Sequence, residues 1–282
     1  MYDVCIVGAG PCGLVSALNL CKKYKVCILE AGREYDKRIC PLDLNKKCNG
    51  NCNPCNIISG FGGCQFLDGT KACFYPAGSG LLNFVPEDKI INYYNYAENI
   101  LNYYGKPKRK KVNNLKIEEI KKEALKNNID IKYYNAQKID KEIMNNMGKK
   151  IKNDLIDNGV DIFYMQEVYD IEKKDVFKIY SRDMIVTAKK VILAPGRLGK
   201  LFLNNIANKM KIDYVKNNYI GEIGIIIEMP YNVFSSINNI YNDIKLKRKI
   251  DENNEIRTFC QNYRGLIRKC VYTTPNGKLS SL

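Results

Sequence analysis

The sequence contains no histidine and no tryptophan. The first absence removes a large part of enzyme chemistry. Without imidazole there is no Ser-His-Asp or Cys-His triad, and no His-ligated zinc hydrolase site. If the protein is an enzyme, a cofactor is expected to carry the chemistry. Long apolar runs are also missing: none approaches the ~20 residues of a membrane-spanning helix, so no membrane partner is expected. The first strand begins at about the third residue and leaves no room for a secretory signal, which makes the cytoplasm the expected location.

Acidic residues are outnumbered, with 30 Asp and Glu against 45 Lys and Arg, a formal charge of +15. Such a balance raises the question of a nucleic-acid partner. The basic residues are nevertheless scattered among acids along most of the chain. The one dense cluster, Lys106-Pro107-Lys108-Arg109-Lys110-Lys111, is read as a solvated loop between helices, so nucleic acid is not the expected partner. Cysteine is plentiful at 12, but a chain of 282 residues without an export signal needs no disulfide framework.

The stretch around which the chain is organised is its start, Asp3-Val4-Cys5-Ile6-Val7-Gly8-Ala9-Gly10-Pro11-Cys12-Gly13. The apolar run predicts a buried parallel strand. Gly8 permits a tight turn, Gly10 lets the backbone approach a pyrophosphate, and Gly13 lets the following helix pack close to the strand. Phosphates would then meet the positive end of the helix dipole. Leu14, Ala17, Leu18 and Leu20 supply that helix with an apolar face. A second apolar run, Val26-Cys27-Ile28-Leu29, ends in Glu30 and Ala31. An acid at that place accepts hydrogen bonds from the adenosine ribose hydroxyls and disfavours a ribose 2′-phosphate. A dinucleotide other than NADP is therefore expected at this first site. Cys5, Cys12, Cys21 and Cys27 are read as small apolar residues of the unit.

A cysteine-dense loop follows, with Cys40 and then Cys48, Cys52 and Cys55 in C-x3-C-x2-C spacing. Three readings stay open: an iron-sulfur or zinc site with Cys40 as fourth ligand, a redox-active dithiol, or reduced cysteines that pack the loop. Directly beyond lies a second glycine-rich stretch, Ser59-Gly60-Phe61-Gly62-Gly63-Cys64, whose backbone is expected to pass close to a cofactor. Residues 81–150 read as a mainly helical insertion, and Lys138 to Asp157 then supplies a helix that stops at Gly159. From Val160 the period turns to alternation. Four short strands, in Asp161–Tyr164, Val168–Ile171, Val176–Tyr180 and Met184–Val186, are expected to form a meander. A separate buried strand, Thr187–Leu193, breaks at Ala194-Pro195-Gly196-Arg197.

Strand-GAGPCGL-helix, then the Cys-Pro and CNPC elements, then SGFGG, resemble the bacterial and archaeal FAD-dependent dehydrogenases of largely unassigned substrate. These share the FAD-binding fold of the glutathione reductase type. The Ala-Pro-Gly break resembles the element that returns the chain to the cofactor in such proteins. The resemblance implies an α/β fold: a Rossmann-like FAD/NAD(P)-binding domain, βαβ with a β-meander, plus a helical insertion and the start of a second α+β domain. The expected boundaries are 1–80 for the βαβ unit with its cysteine and glycine loop, and 81–150 for the insertion. Residues 151–200 are then the meander and return strand, and 201–282 a partial substrate domain. It further implies FAD held by Gly8, Ala9, Gly10, Pro11, Cys12, Gly13, Glu30, Ala31, Gly60, Gly62, Gly63 and Gly196. A small-molecule substrate and NAD(P) as a co-substrate would complete such an oxidoreductase. The family's final strand and Gly-Asp-type turn are not found before Leu282, so a split partner or missing C-terminal segment is expected. The alternative is a truncated, non-catalytic dinucleotide-binding domain with a cysteine-ligated metal or iron-sulfur site.

Overall fold

The computed structural model describes residues 1–64, 70–105, 114–133, 136–214, 224–230, 232–233, 244–252, 254–259, 267, 270–274 and 277–281. The basic cluster Lys106 to Lys111 lies outside the described residues. The chain divides into two compact units, one of Met1–Asp68, Met144–Ile225 and Ile267–Leu282, the other of Gly69–Ile143 and Ile226–Leu266.

The first unit opens with β1 (Tyr2–Val7), α1 (Pro11–Leu20) and β2 (Val26–Leu29). β1 and β2 run parallel, with Val4 opposite Val26 and Val7 opposite Leu29. Both faces of these strands are covered, which is why their sequences are continuous apolar runs rather than alternating ones. Cys5 and Cys27 face each other in register with no solvent exposure, and a mutual hydrogen bond and burial push the Cys27 thiol up. They behave as small apolar residues.

At Gly69 the chain passes into the second unit, described by itself. β3 (Thr70–Cys73) is followed by α2 (Glu87–Tyr104), α3 (Asn114–Lys126), β4 (Asp130–Tyr133) and β5 (Ala136–Ile139). β3 pairs antiparallel with β5. β4 pairs antiparallel with β10 (Ile244–Lys249), which also carries β11 (Glu255–Arg257). Ile117, Ile131 and Ile244 form a small apolar core there.

The chain returns to the first unit through α4 (Lys141–Asp157). The helix starts three residues later than its sequence suggests, because Lys138 and Ile139 belong to β5. It ends as expected. Val160 N–H donates to Leu155 O at 2.9 Å and Gly159 N–H to Ile156 O at 2.8 Å, the paired bonds of a glycine-terminated helix.

β6 (Asp161–Phe163), β7 (Val168–Lys173), β8 (Phe177–Ser181), β9 (Ile185–Leu193) and α5 (Lys200–Lys209) follow. They complete a six-stranded sheet of order β6-β2-β1-β9-β8-β7. Two expectations are corrected. β6 is not a meander strand but pairs parallel with β2, Cys27 opposite Asp161; three residues are too few to show an alternating period. Met184–Val186 and Thr187–Leu193 are not two strands, since β9 runs unbroken through them. β9 is antiparallel to β8 over its first half and parallel to β1 along most of its length, up to Leu193 opposite Val7. The meander is therefore β7-β8-β9, and its last strand carries the chain back to the first glycine turn.

Cys5, Val7, Cys27 and Leu29 pack on one side of the sheet with Ile171, Ile179, Val186 and Ile206 of α5. Burying one such side chain contributes about 1.5–3 kcal/mol. The unit also contains a hairpin of β12 (Cys270–Thr274) and β13 (Gly277–Ser281). Among the described residues no helix is long and apolar enough to cross a membrane.

A candidate dinucleotide cradle and a cysteine-lined pocket

The first glycine turn is fixed by the sheet beneath it. Gly8 N–H donates to Leu29 O at 2.8 Å, and Ala194 N–H donates to Val7 O at 2.9 Å. Gly8 has φ +102°, and a Cβ on it would lie 2.4 Å from Ala194 O, so glycine is needed both for the turn and for the return strand. A Cβ on Gly13 would lie 1.9 Å from Gly8 O, which only glycine avoids at this separation of helix and strand. Gly10 differs from both. Its backbone is extended, with φ −71° and ψ 179°, a conformation open to any residue, and a Cβ there would meet nothing within 4 Å. Open space thus stands beside the N-terminus of α1.

The charge at that place suits an anion. Pro11, at the start of α1, has no N–H to satisfy, and the first turn has neither an acidic residue nor a side-chain cap. Leu14 N–H makes the first intrahelical bond, to Gly10 O. The amides of Cys12 and Gly13 precede it at the positive end of the helix dipole.

Glu30 is only 6% exposed. Its Oε2 accepts the Ala9 N–H at 2.6 Å, and its Oε1 accepts Gly32 N–H at 2.8 Å and Gly60 N–H at 3.0 Å. Three of about four carboxylate lone-pair sites are thus filled by backbone. The acid assigned to a ribose is here the knot that ties three turns together. Ala31 lies half-buried just beyond it.

The second glycine stretch closes on the first. Gly62 N–H donates to Ala9 O at 2.8 Å, Phe61 N–H donates to Arg33 O at 3.0 Å, and Phe61 is fully buried. A Cβ on Gly63 would lie 3.4 Å from Pro11 Cδ. The structure therefore brings Gly8, Ala9, Gly10, Pro11, Cys12, Gly13, Glu30, Gly60, Gly62 and Gly63 to one locality. Gly196 stands two residues beyond Ala194, exposed, with open space about it. Cys64 and Arg197 are exposed. Gln65 to Gly69 lie outside the described residues.

Three contributors escape a reading of the sequence. Gly32 backs directly onto the second loop, where a Cβ would lie 2.3 Å from Gly60 N. Asn56 donates from Nδ2 to Ile39 O at 2.8 Å and accepts Arg33 Nη1 at 2.9 Å. Arg38, 3% exposed, reaches backbone carbonyls of the second loop. Burial pulls its guanidinium below the ordinary value, and the nearby Glu30 charge works the other way. Only Gly32 leaves a trace in sequence, as a glycine two residues after the strand-ending acid.

Cys40, Cys48, Cys52 and Cys55, with Pro41, Gly50, Asn56, Ile57 and Val271, line one small pocket. Among the described residues, however, no three His, Cys, Asp or Glu side chains stand close enough together to hold a metal ion. As folded, the four thiols line a pocket without being gathered into a ligand set. Burial, then the neighbouring Cys55 and Cys40, pushes the Cys52 thiol up; the same causes push Cys270 to about 11. A raised thiol is the reverse of what an attacking dithiol needs.

No protein-family model matches this chain, and no curated protein does either. Solved structures with a similar chain course include NikD, an unusual amino acid oxidase essential for nikkomycin biosynthesis, in the form of a Tyr-to-Phe mutant. It is 12% identical, with 74% of this chain and 53% of that chain covered and a TM-score of 0.41. L-amino acid deaminase from Proteus vulgaris is 15% identical over 76% of this chain and 57% of its own, with a TM-score of 0.41. THI4 from Thermovibrio ammonificans is 16% identical over 75% and 62%, also at 0.41. The chain matches a little over half the length of these proteins.

Proposed function

We propose that the cradle binds FAD and that the protein is an FAD-dependent oxidoreductase acting on a small molecule. The observation that carries this reading is the open space at Gly10. Three stretches remote in sequence, Gly8–Gly13, Glu30 and Gly60–Gly63, converge on an uncapped helix N-terminus where a Cβ would meet nothing within 4 Å. The amides of Cys12 and Gly13 would hold the pyrophosphate, and Gly10 would allow its approach. Glu30 has one remaining lone-pair site for a ribose hydroxyl. FAD is favoured over NAD at this site because β9 leads from an antiparallel meander back to the turn, as the family resemblance implies. When bound, the flavin supplies a group that accepts or returns a hydride or an electron pair. The chain's own part is to bind it, orient it and keep water from the buried side of the loops. NAD(P) as co-substrate is a further reading, tested by whether NADH or NADPH bleaches the bound flavin.

The protein should be purified without added cofactor, and its visible spectrum and its melting temperature with FAD, NAD or AMP measured. A flavin band, or a melting temperature raised by FAD more than by NAD, supports the assignment. No band and no shift with FAD would sink it.

The cysteine-lined pocket supports a second reading, a thiol site for a soft metal in a non-catalytic dinucleotide domain. Its support is that four cysteines share one pocket. Protein made without oxygen that holds a full equivalent of zinc or iron, and no flavin, would favour it.

A further inference from the structure

Arg38 is a buried cation whose four hydrogen bonds all go to backbone carbonyls. Its Nε donates to Asn56 O at 3.0 Å, Nη2 to Ile57 O at 3.0 Å, and Nη1 to both Phe61 O at 2.8 Å and Gly63 O at 2.7 Å. Four of its five N–H groups are used. The carbonyls of Asn56, Ile57, Phe61 and Gly63 thus converge on one guanidinium. Three amides of the same loop donate to other segments, Gly60 to Glu30, Phe61 to Arg33 and Gly62 to Ala9.

The loop is therefore pinned from both sides between two buried charges. Glu30 and Arg38 do not pair directly; the peptide groups of Gly60 and Phe61 lie between them, an N–H toward the carboxylate and a C=O toward the guanidinium. Gly60, at φ +119°, is the residue that makes room. A Cβ there would lie 2.5 Å from Arg38 Cδ. Gly63, at the end of the pinned segment, stands over Pro11 and Gly10, at the rim of the open space beside α1.

We propose that Arg38 is a positioning residue for the dinucleotide site, one that sets the second glycine loop against the first turn and so fixes the mouth of the cradle. This inference rests on the reading of that cradle as a cofactor site. A lysine cannot replace it, because an ammonium has three donors on one point and cannot span four carbonyls in a planar fork. Without the guanidinium, the buried carbonyls of Asn56 and Phe61 lose their partner, as do the part-buried ones of Ile57 and Gly63, and the loop must turn some of them out to water.

The test compares the full-length protein with Arg38→Lys and Arg38→Ala, each checked for native far-ultraviolet circular dichroism. FAD affinity and the hydrogen exchange of the Phe61 and Gly62 amides in the cofactor-free protein are measured. Arg38→Lys should bind FAD at least about tenfold more weakly, and its two amides should exchange faster than in the wild type. Guanidinium ion added to Arg38→Ala should recover FAD affinity, which a general loss of stability would not allow. If Arg38→Ala does not fold, Arg38→Lys decides alone. FAD affinity and amide exchange both unchanged in Arg38→Lys would overturn the inference. Should the wild type bind no FAD, the cofactor reading fails, and the positioning role with it. Exchange would then tell only whether Arg38 still holds the loop.

Discussion

The glycine cradle and the cysteine loop lie side by side in the chain, and each is dense in a residue type with an obvious use. Only one of them assembles. What a glycine turn must do is settled by backbone sterics over a few ångströms, so Gly8 and Gly13 take up their turn as soon as β1, α1 and β9 pack. Metal ligation demands that several sulfurs reach one point about 2.3 Å away from each. Four cysteines in a loop with little regular structure share a pocket without meeting that demand. Spacing in sequence is strong evidence for a turn and weak evidence for a coordination sphere.

The contrast can be broken most directly from the glycine side. Gly13→Ala sets a Cβ 1.9 Å from the Gly8 carbonyl oxygen, against backbone that cannot swing aside. We expect a loss of about 1–3 kcal/mol by overpacking, read as a lower denaturation midpoint, together with loss of FAD binding. An unchanged midpoint would mean that α1 and the turn are not held as described. The cysteine side predicts a smaller effect. Cys48→Ser with Cys52→Ser, both half-buried, should lower stability by no more than about 1 kcal/mol and leave FAD affinity unchanged. A full equivalent of zinc or iron in the wild type, lost in the double variant, would show that the pocket does hold a structural ion.

The smallest effect concerns the loop that joins the two regions. Hydrogen bonds from Lys152 and then Lys37 hold the Glu34 carboxyl below its ordinary value of 4.5, and burial works against them. A depressed carboxylate contributes stability above its unfolded value, and that contribution is lost as pH falls through the lower folded value. Glu34→Gln should therefore cost about 1 kcal/mol or less at pH 7, with the difference from wild type vanishing on acidification below the carboxylate range. A difference that persists there would place the effect in packing.

Much of the first unit was legible because its signals are local. Apolar runs, three spaced glycines and a strand-ending acid each report on a few neighbouring residues, and the structure places all of them together. The meander was legible in kind but not in its parts. β6 offers three residues, and β9 carries Lys189-Lys190 in mid-strand, where it passes from one partner to another and the alternation breaks. Glu30 was found with an incomplete role, because its present partners are the amides of Ala9, Gly32 and Gly60, and amides are common to almost every residue. Arg38 was hidden for the same reason, bound as it is to carbonyls alone. The second unit is harder still, since β4 finds its partner in β10, more than a hundred residues later.

Gly10 tests the central claim, because the structure gives it no other duty. Threonine caps a helix about as well as glycine, and at Gly10 its side chain would enter open space. Titration of FAD into wild type and Gly10→Thr, followed by flavin fluorescence, should show binding to the first and none to the second, with melting temperatures of the cofactor-free proteins within a few degrees. A Gly10→Thr protein that binds FAD as tightly as the wild type would contradict the account.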